Sequence, residues 1–195
     1  MEEFVKELTG ADHVLAFGIA LRASTATAGG AFQEPGTDAH CDYNTDTAVS
    51  YARELLDQRG YKDFEYGDFE CINVWRALSE PPQDWPLAVC QAQTAGSHEK
   101  YFNKMVTLET PLDVNNLPPV PEGRLPTAIL YEYRDTYRWN YFSNMKADEV
   151  LAFKLFDSRK GLPLRCPHAA FKDVHTKDVL TRESVEVRTV AYFKK

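Results

Sequence analysis

With 195 residues, 44% of them hydrophobic and 26% charged, the chain is long enough to bury one sizeable core and short for two, so a single domain over residues 1–195 is expected. A formal charge of −7 without clustered Lys and Arg excludes a nucleic acid held mainly through phosphates and leaves a small molecule as the expected partner. No apolar run approaches the roughly 18 residues of a membrane span, the acidic start Met1-Glu2-Glu3-Phe4 lacks the regions of a signal peptide, and Cys41, Cys71, Cys90 and Cys166 have no metal-finger spacing, so reduced thiols in a cytoplasmic protein without a membrane partner are expected.

In chain order, residues 2–8 read as a short helix with Phe4, Val5 and Leu8 on one side and Gly10 as its stop. Residues 13–22 (HVLAFGIALR) read as a buried strand, and the Gly/Ala/Thr/Pro-rich residues 23–36 as a loop that delivers the chain to His40. Between 45 and 59, Ala48, Tyr51, Ala52, Leu55 and Leu56 recur at the spacing of an amphipathic helix, with Gly60 to end it. Seven runs dense in β-branched and aromatic residues follow, at 69–78, 87–93, 100–108, 127–133, 137–142, 150–156 and 184–193. The Pro-rich residues 117–126 (LPPVPEGRLP) read as a long surface connection rather than a linker, because the strands on either side are too few for separate cores. About eight short strands beside one or two helices, without a strand-helix alternation, predict a mainly β jelly roll.

Of the five histidines, only His40 has an Asp two positions later, and in an extended segment that spacing puts His40 and Asp42 on one face, with Cys41 on the other. Chance alone yields such a pair about one time in three, given the number of Asp and the alternation of side chains along a strand. Taken alone it reads first as polarity at the turn Asp42-Tyr43-Asn44. The C-terminal context changes that balance. His168 lies in the apolar run Pro167-His168-Ala169-Ala170-Phe171, and Arg182-Glu183-Ser184 follows before a final strand. Two His and one carboxylate are the set that leaves a non-haem Fe(II) with open positions. Arg182 and Ser184, alternating on one strand face, suit a dicarboxylate's distal end. Arg188 shares that face and is the reserve anchor. Arg22-Ala23-Ser24 repeats the R-x-S pattern without an upstream ligand, and either arginine reads equally well as an ion-pair partner of Glu183 or Glu186.

The run Ile72-Asn73-Val74-Trp75-Arg76, Pro86 to Cys90 (PLAVC), residues 137–158 (YRWNYFSNMKADEVLAFKLFDS), the His168 element and Arg182 to Arg188 (RESVEVR) occur together and in order. In combination they resemble the gibberellin desaturase-like and cephamycin methoxylase-related microbial oxygenases, many of them from secondary metabolism. The resemblance spans most of the chain from Thr9 onward. It implies a double-stranded β-helix (a cupin-like jelly roll), Fe(II) held by His40, Asp42 and His168, 2-oxoglutarate as cosubstrate, and hydroxylation, desaturation or oxidative cyclisation of a small molecule. It also places Asn73, Trp75, Arg76 and Tyr141 on strands of the barrel as candidate substrate contacts, with Lys154 a similar candidate. Two departures stand out. The first core strand begins almost at once, where family members carry a longer preceding segment, so pocket closure by residues 23–36 or by the second subunit of a homodimer is expected. Cys166 stands where Thr is expected and reads as a small buried residue. The rival readings are a metal-dependent enzyme that does not use 2-oxoglutarate and a non-catalytic β-barrel that binds a small molecule.

Overall fold

The computed structural model describes residues 1–26, 30–95 and 127–195, and the backbone of 101–104. The helix α1 (Glu2–Thr9) ends on Gly10, which takes φ 69° and donates its N–H to the Lys6 carbonyl, a left-handed cap that glycine adopts without steric cost. The helix α2 (Thr45–Gln58) starts where Asn44 Oδ1 accepts from the Thr47 N–H at 2.8 Å, satisfying one of the free amides of the first turn. Its apolar stripe, including Ala48, Ala52, Leu55 and Leu56, is buried as the periodicity predicts.

The strands are β1 (His13–Ala23), β2 (His40–Cys41), β3 (Asp68–Ala77), β4 (Leu87–Cys90), β5 (Tyr101–Lys104), β6 (Thr127–Leu130), β7 (Trp139–Tyr141), β8 (Leu151–Asp157), β9 (His168–Ala170) and β10 (Glu183–Phe193). They form a four-stranded sheet, in the order β1-β10-β3-β8, and a six-stranded sheet, in the order β5-β6-β2-β9-β4-β7. Every pairing recorded between strands is antiparallel. This is the mainly β, two-sheet jelly roll expected from the sequence.

Three expectations need revision. The run at 87–93 stops at Cys90 and turns into a four-residue helix, α3 (Ala92–Ala95), because Thr94 folds back on the Gln91 carbonyl through both its N–H and its hydroxyl. The runs at 127–133 and 137–142 shorten to four and three strand residues. The short strands β2 and β9 are additions, too brief to carry a hydrophobic period of their own. Of the run at 100–108, only 101–104 is described, and the Pro-rich 117–126 lies outside the described residues.

Alternation along β3 assigns its two faces. Cys71 and Trp75 join Leu15, Phe153, Leu155 and Tyr192 in the principal core, which also takes in Leu55 and Leu56 of α2. Ile72 and Val74 point the other way and pack with Val5 of α1 and Ala191. The polar Asn73, with no solvent exposure, lies between Cys71 and Trp75 on the inner face. Along β10 the same parity turns Ser184, Glu186 and Arg188 inward together with Val190 and Tyr192.

Candidate metal centre and its buried arginines

His40 and His168 are register partners across β2 and β9, so adjacent strands deliver two imidazoles to one place, their ring centroids 4.3 Å apart. Asp42, two residues beyond His40, shares its face and turns Oδ1 toward both rings, 3.5 Å from His40 Nε2 and 3.6 Å from His168 Nε2. The three ligand atoms lie within 4.8 Å of one another. Cis ligands around a first-row metal with bonds of about 2.1 Å sit about 3 Å apart, so the cluster closes on an ion with small movements. The ring nitrogens facing away are held by the backbone: His40 Nδ1 lies 2.7 Å from the Asp38 carbonyl and His168 Nδ1 3.3 Å from the Cys166 carbonyl. A proton placed on each Nδ1 leaves both Nε2 lone pairs available to an ion held between the two rings and Asp42.

Electrostatics favour a charged Asp42 between imidazoles. Burial works against the carboxylate, but its interactions with the His168 and His40 rings and the charge of Arg188 outweigh it and hold Asp42 well below the usual carboxylate range. Burial, aided by the neighbouring His40, lowers His168. For His40 burial is again the largest influence, yet Asp42 reverses it and raises the ring. With Nε2 free of its proton on both rings, two imidazoles and an ionised carboxylate form the donor set of a facial triad.

Two other contacts shape the site. The ring of Phe153, from the facing sheet, lies 4.6 Å from that of His168. Gly36 approaches His40 so closely that a Cβ there would fall 2.9 Å from His40 Cε1, and its carbonyl accepts from the Ala170 N–H at 2.7 Å.

Arg182, just before β10, is 2% exposed. Its Nε and Nη2 donate to Ser184 Oγ at 3.2 and 3.0 Å and its Nη1 to the Trp85 carbonyl at 2.9 Å, while its guanidinium lies 5.1 Å from the Trp75 ring centroid. Its side chain has no carboxylate partner among the described residues. Burial, reinforced by Arg22, pushes its pKa down to about 10. Arg188 is differently engaged: Nε donates to Asp42 Oδ2 at 2.7 Å and Nη2 to Glu186 Oε1 at 2.6 Å.

Of the other residues singled out from the sequence, Asn73 and Trp75 lie on the inner face of β3, with Asn73 Nδ2 donating to Glu186 Oε2 at 3.2 Å. Arg76 is exposed, because the alternation that turns Trp75 inward turns Arg76 out. Tyr141 also stands apart from the triad. It stacks edge-on with Phe171 at 4.9 Å and lines a cavity of about 380 Å³ with Ala39, Ala88 and Ala169, on the face of the six-stranded sheet opposite His40 and His168. A second cavity, of about 470 Å³, is lined by Val89, Asn140, Leu151, Phe153, Lys154 and Cys166 among others. It opens at the seam between β8 and the β4–β7 edge, and both Val89, register partner of His168, and Phe153 border it. Sequence reasoning passed over Gly36 and Phe153 and named Glu186 as an ion-pair partner of an arginine, which it is for Arg188. The alternation Ser184, Glu186, Arg188 carried a signal for Glu186; a glycine four positions before a histidine carries none.

Residues 1–192 match the family model described as "Oxidoreductase/YMDC permease-like domain". The chain belongs to this oxidoreductase family. Within it, the chain is 30% identical over 189 residues to the Fe(II)/2-oxoglutarate-dependent dioxygenase nvfI of Aspergillus novofumigatus, an alignment covering 96% of this chain and 63% of that protein. It is 32% identical over 145 residues to the hydroxylase/desaturase CTB9 of Cercospora beticola, covering 71% of this chain and 42% of the relative. The solved structure of the iron and alpha-ketoglutarate-dependent endoperoxidase NvfI superposes with a TM-score of 0.81 at 28% identity, over 100% of this chain and 65% of that one. The chain thus spans less than two thirds of these relatives. No helix among the described residues is long and apolar enough to cross a membrane.

Proposed function

We propose that this oxidoreductase-family chain is a non-haem Fe(II) and 2-oxoglutarate dependent oxygenase that hydroxylates, desaturates or oxidatively cyclises a small molecule of secondary metabolism, within the gibberellin desaturase-like and cephamycin methoxylase-related group. Relatives named as Fe(II)/2-oxoglutarate-dependent dioxygenase, hydroxylase/desaturase and aspirochlorine biosynthesis protein support this reading. The observation that carries it is Arg182, a buried guanidinium whose hydrogen bonds among the described residues go to a hydroxyl and a carbonyl, with no carboxylate. A buried cation without a directly bonded counter-charge is costly, and a ligand carboxylate beside Arg182 and Ser184 relieves that cost through short charge-assisted bonds.

In this reading His40, Asp42 and His168 hold the iron, which with 2-oxoglutarate and dioxygen supplies oxidation of an unactivated C–H bond. The residues of the chain do the remainder. Arg182 and Ser184 neutralise and orient the cosubstrate's distal carboxylate. Backbone carbonyls of Asp38 and Cys166 keep the imidazole lone pairs directed inward. Phe153 covers His168 from the opposite sheet and keeps bulk water from that side. The cavity at the β8 seam, about 470 Å³, is of the size that accepts a drug-sized molecule, and its apolar floor of Val89, Leu151 and Phe153 suits a largely apolar substrate.

The test is anaerobic addition of Fe(II) and then 2-oxoglutarate to metal-free protein, followed by the weak visible charge-transfer absorption of the chelate. The expected result is a band in wild type that is lost in His168→Ala and needs more cosubstrate in Arg182→Ala. A wild-type protein that binds metal but develops no band would favour a metal-dependent enzyme that does not use 2-oxoglutarate, and one that binds no metal would favour a non-catalytic binding barrel.

A further inference from the structure

A carboxylate has two oxygens and can offer either one or both of them to a metal. Asp42 is not free to choose. Oδ1 faces both imidazoles, at 3.5 and 3.6 Å, while Oδ2 accepts from Arg188 Nε at 2.7 Å. That bond is short and charge-assisted, and it fixes the rotation of the carboxyl group about its own axis. It also crosses between the sheets, because Asp42 follows β2 of the six-stranded sheet and Arg188 belongs to β10 of the four-stranded one.

Arg188 is itself constrained. Its Nη2 donates to Glu186 Oε1 at 2.6 Å; that same oxygen accepts from Arg22 Nη2 at 3.3 Å, and Oε2 accepts from Asn73 Nδ2 at 3.2 Å. Residues from β1, β3 and β10 therefore converge on Glu186, which holds the arginine that grips Asp42. The neighbouring strand bulges beside it. The register of β1 against β10 slips between Phe17 and Ile19, directly beside Arg188, and Gly18 takes φ 61° there, a left-handed conformation open to glycine. A Cβ on Gly18 would lie 3.9 Å from both Arg188 Cδ and Nη1. A bulge at this point bends β1 and re-aims the side chains around it.

We infer that Arg188 is a positioning residue of the metal centre: it ties up Asp42 Oδ2 so that the carboxylate presents Oδ1 alone, and Glu186, Arg22 and Asn73 hold Arg188 in that task. The inference rests on the proposed metal site and goes beyond it in assigning Arg188 to the metal side rather than to the cosubstrate. Its consequence is a count of open positions. A carboxylate bound through one oxygen and two imidazoles leaves about three of six octahedral positions for exogenous ligands; one bound through both oxygens leaves about two.

Mn(II) is the probe, titrated by electron paramagnetic resonance into wild type, Arg188→Met, Arg188→Lys and Glu186→Gln, with metal-bound water counted by pulsed measurements in oxygen-17 water. In Arg188→Met the expected result is Mn(II) affinity weakened about 10- to 100-fold, the usual effect of losing a partner that orients a ligand, and one bound water fewer than in wild type. Arg188→Lys, which can still donate to Oδ2, restores the wild-type water count in part. Glu186→Gln keeps the shape of the network and weakens its hold on Arg188, so it shifts affinity in the same direction by a smaller factor, and it carries the test if Arg188→Met does not fold. Unchanged affinity and water count in Arg188→Met, or in Glu186→Gln where it stands in, overturns the inference and leaves the metal site standing. A wild type that takes up no Mn(II) overturns both.

Discussion

In the four-stranded sheet β1, β3 and β10 run for 11, 10 and 11 residues and pair along almost their whole length. In the six-stranded sheet β2 has two residues and meets β9 at one residue pair, His40 with His168. A long strand has its register specified many times over, since a slip of one residue would turn every inward side chain outward. A two-residue strand has no such insurance. The difference teaches where the precision of the candidate centre comes from. The ligands sit on the weakly paired sheet, and the contacts that hold them come from elsewhere: Phe153 and Arg188 from the long-stranded sheet, Gly36 and the Asp38 carbonyl from the incoming loop.

The largest effects should separate ligand from frame. His168→Ala is expected to reduce Mn(II) or Fe(II) binding to background while the far-ultraviolet circular dichroism persists, because the frame does not depend on that ring. By contrast Arg182→Met should leave metal affinity in place and raise the 2-oxoglutarate needed for half-saturation about 10- to 100-fold, as for loss of a charged hydrogen bond worth about 1.5–3 kcal/mol.

In the frame itself, Leu155 is fully buried in the principal core. Leu155→Ala should destabilise by about 3 kcal/mol in urea unfolding, the typical cost of such a cavity. On the same strand, Asp157 is bonded by Lys154 at 2.5 Å and Arg159 at 2.8 Å. Burial works against its charge, but these two cations prevail and place its pKa below the ordinary carboxylate value. A carboxyl depressed on folding adds stability above its unfolded pKa of about 3.9 and loses it as pH falls through the folded value. Asp157→Asn should therefore cost about 2 kcal/mol at pH 7, and the gap from wild type should narrow in a stability-against-pH series as pH falls below the unfolded value and through the lower folded one. A gap that persisted at low pH would show that the ion pairs are not its source.

The smallest effect sharpens the comparison most. Gly36→Ala places a methyl against His40 Cε1 on a segment outside both sheets. Folding stability should change by less than about 0.5 kcal/mol, while metal affinity falls about tenfold as the ring is displaced. If melting and metal affinity fell together, the loop would belong to the frame after all.

The same contrast explains what was legible in the sequence. The helices at α1 and α2 and the long strands β1, β3, β8 and β10 carry a period, and their bounds emerge within a residue or two of those expected. The strands β2 and β9 are shorter than any period and exist because their neighbours hold them. His40 and Asp42 were legible as a pair through alternation, and His168 through its apolar setting. Their meeting depends on a pairing between residues 128 positions apart, which no local pattern encodes. Arg188 looked interchangeable with Arg182 because parity on a strand reports a face and not a partner. Arg76 was singled out because the resemblance places its strand in the barrel, and alternation along that strand turns it outward where Trp75 turns in.

The surroundings of Arg182 carry one more consequence. The chain has three tryptophans, and two of them touch that guanidinium, Trp75 through its ring and Trp85 through its carbonyl. Indole emission responds to a nearby charge, so a dicarboxylate docking at Arg182 should alter the intrinsic fluorescence of the unlabelled protein. If Arg182 anchors the cosubstrate as proposed, the Trp75 ring beside it would serve as an optical gauge of occupancy, read in real time.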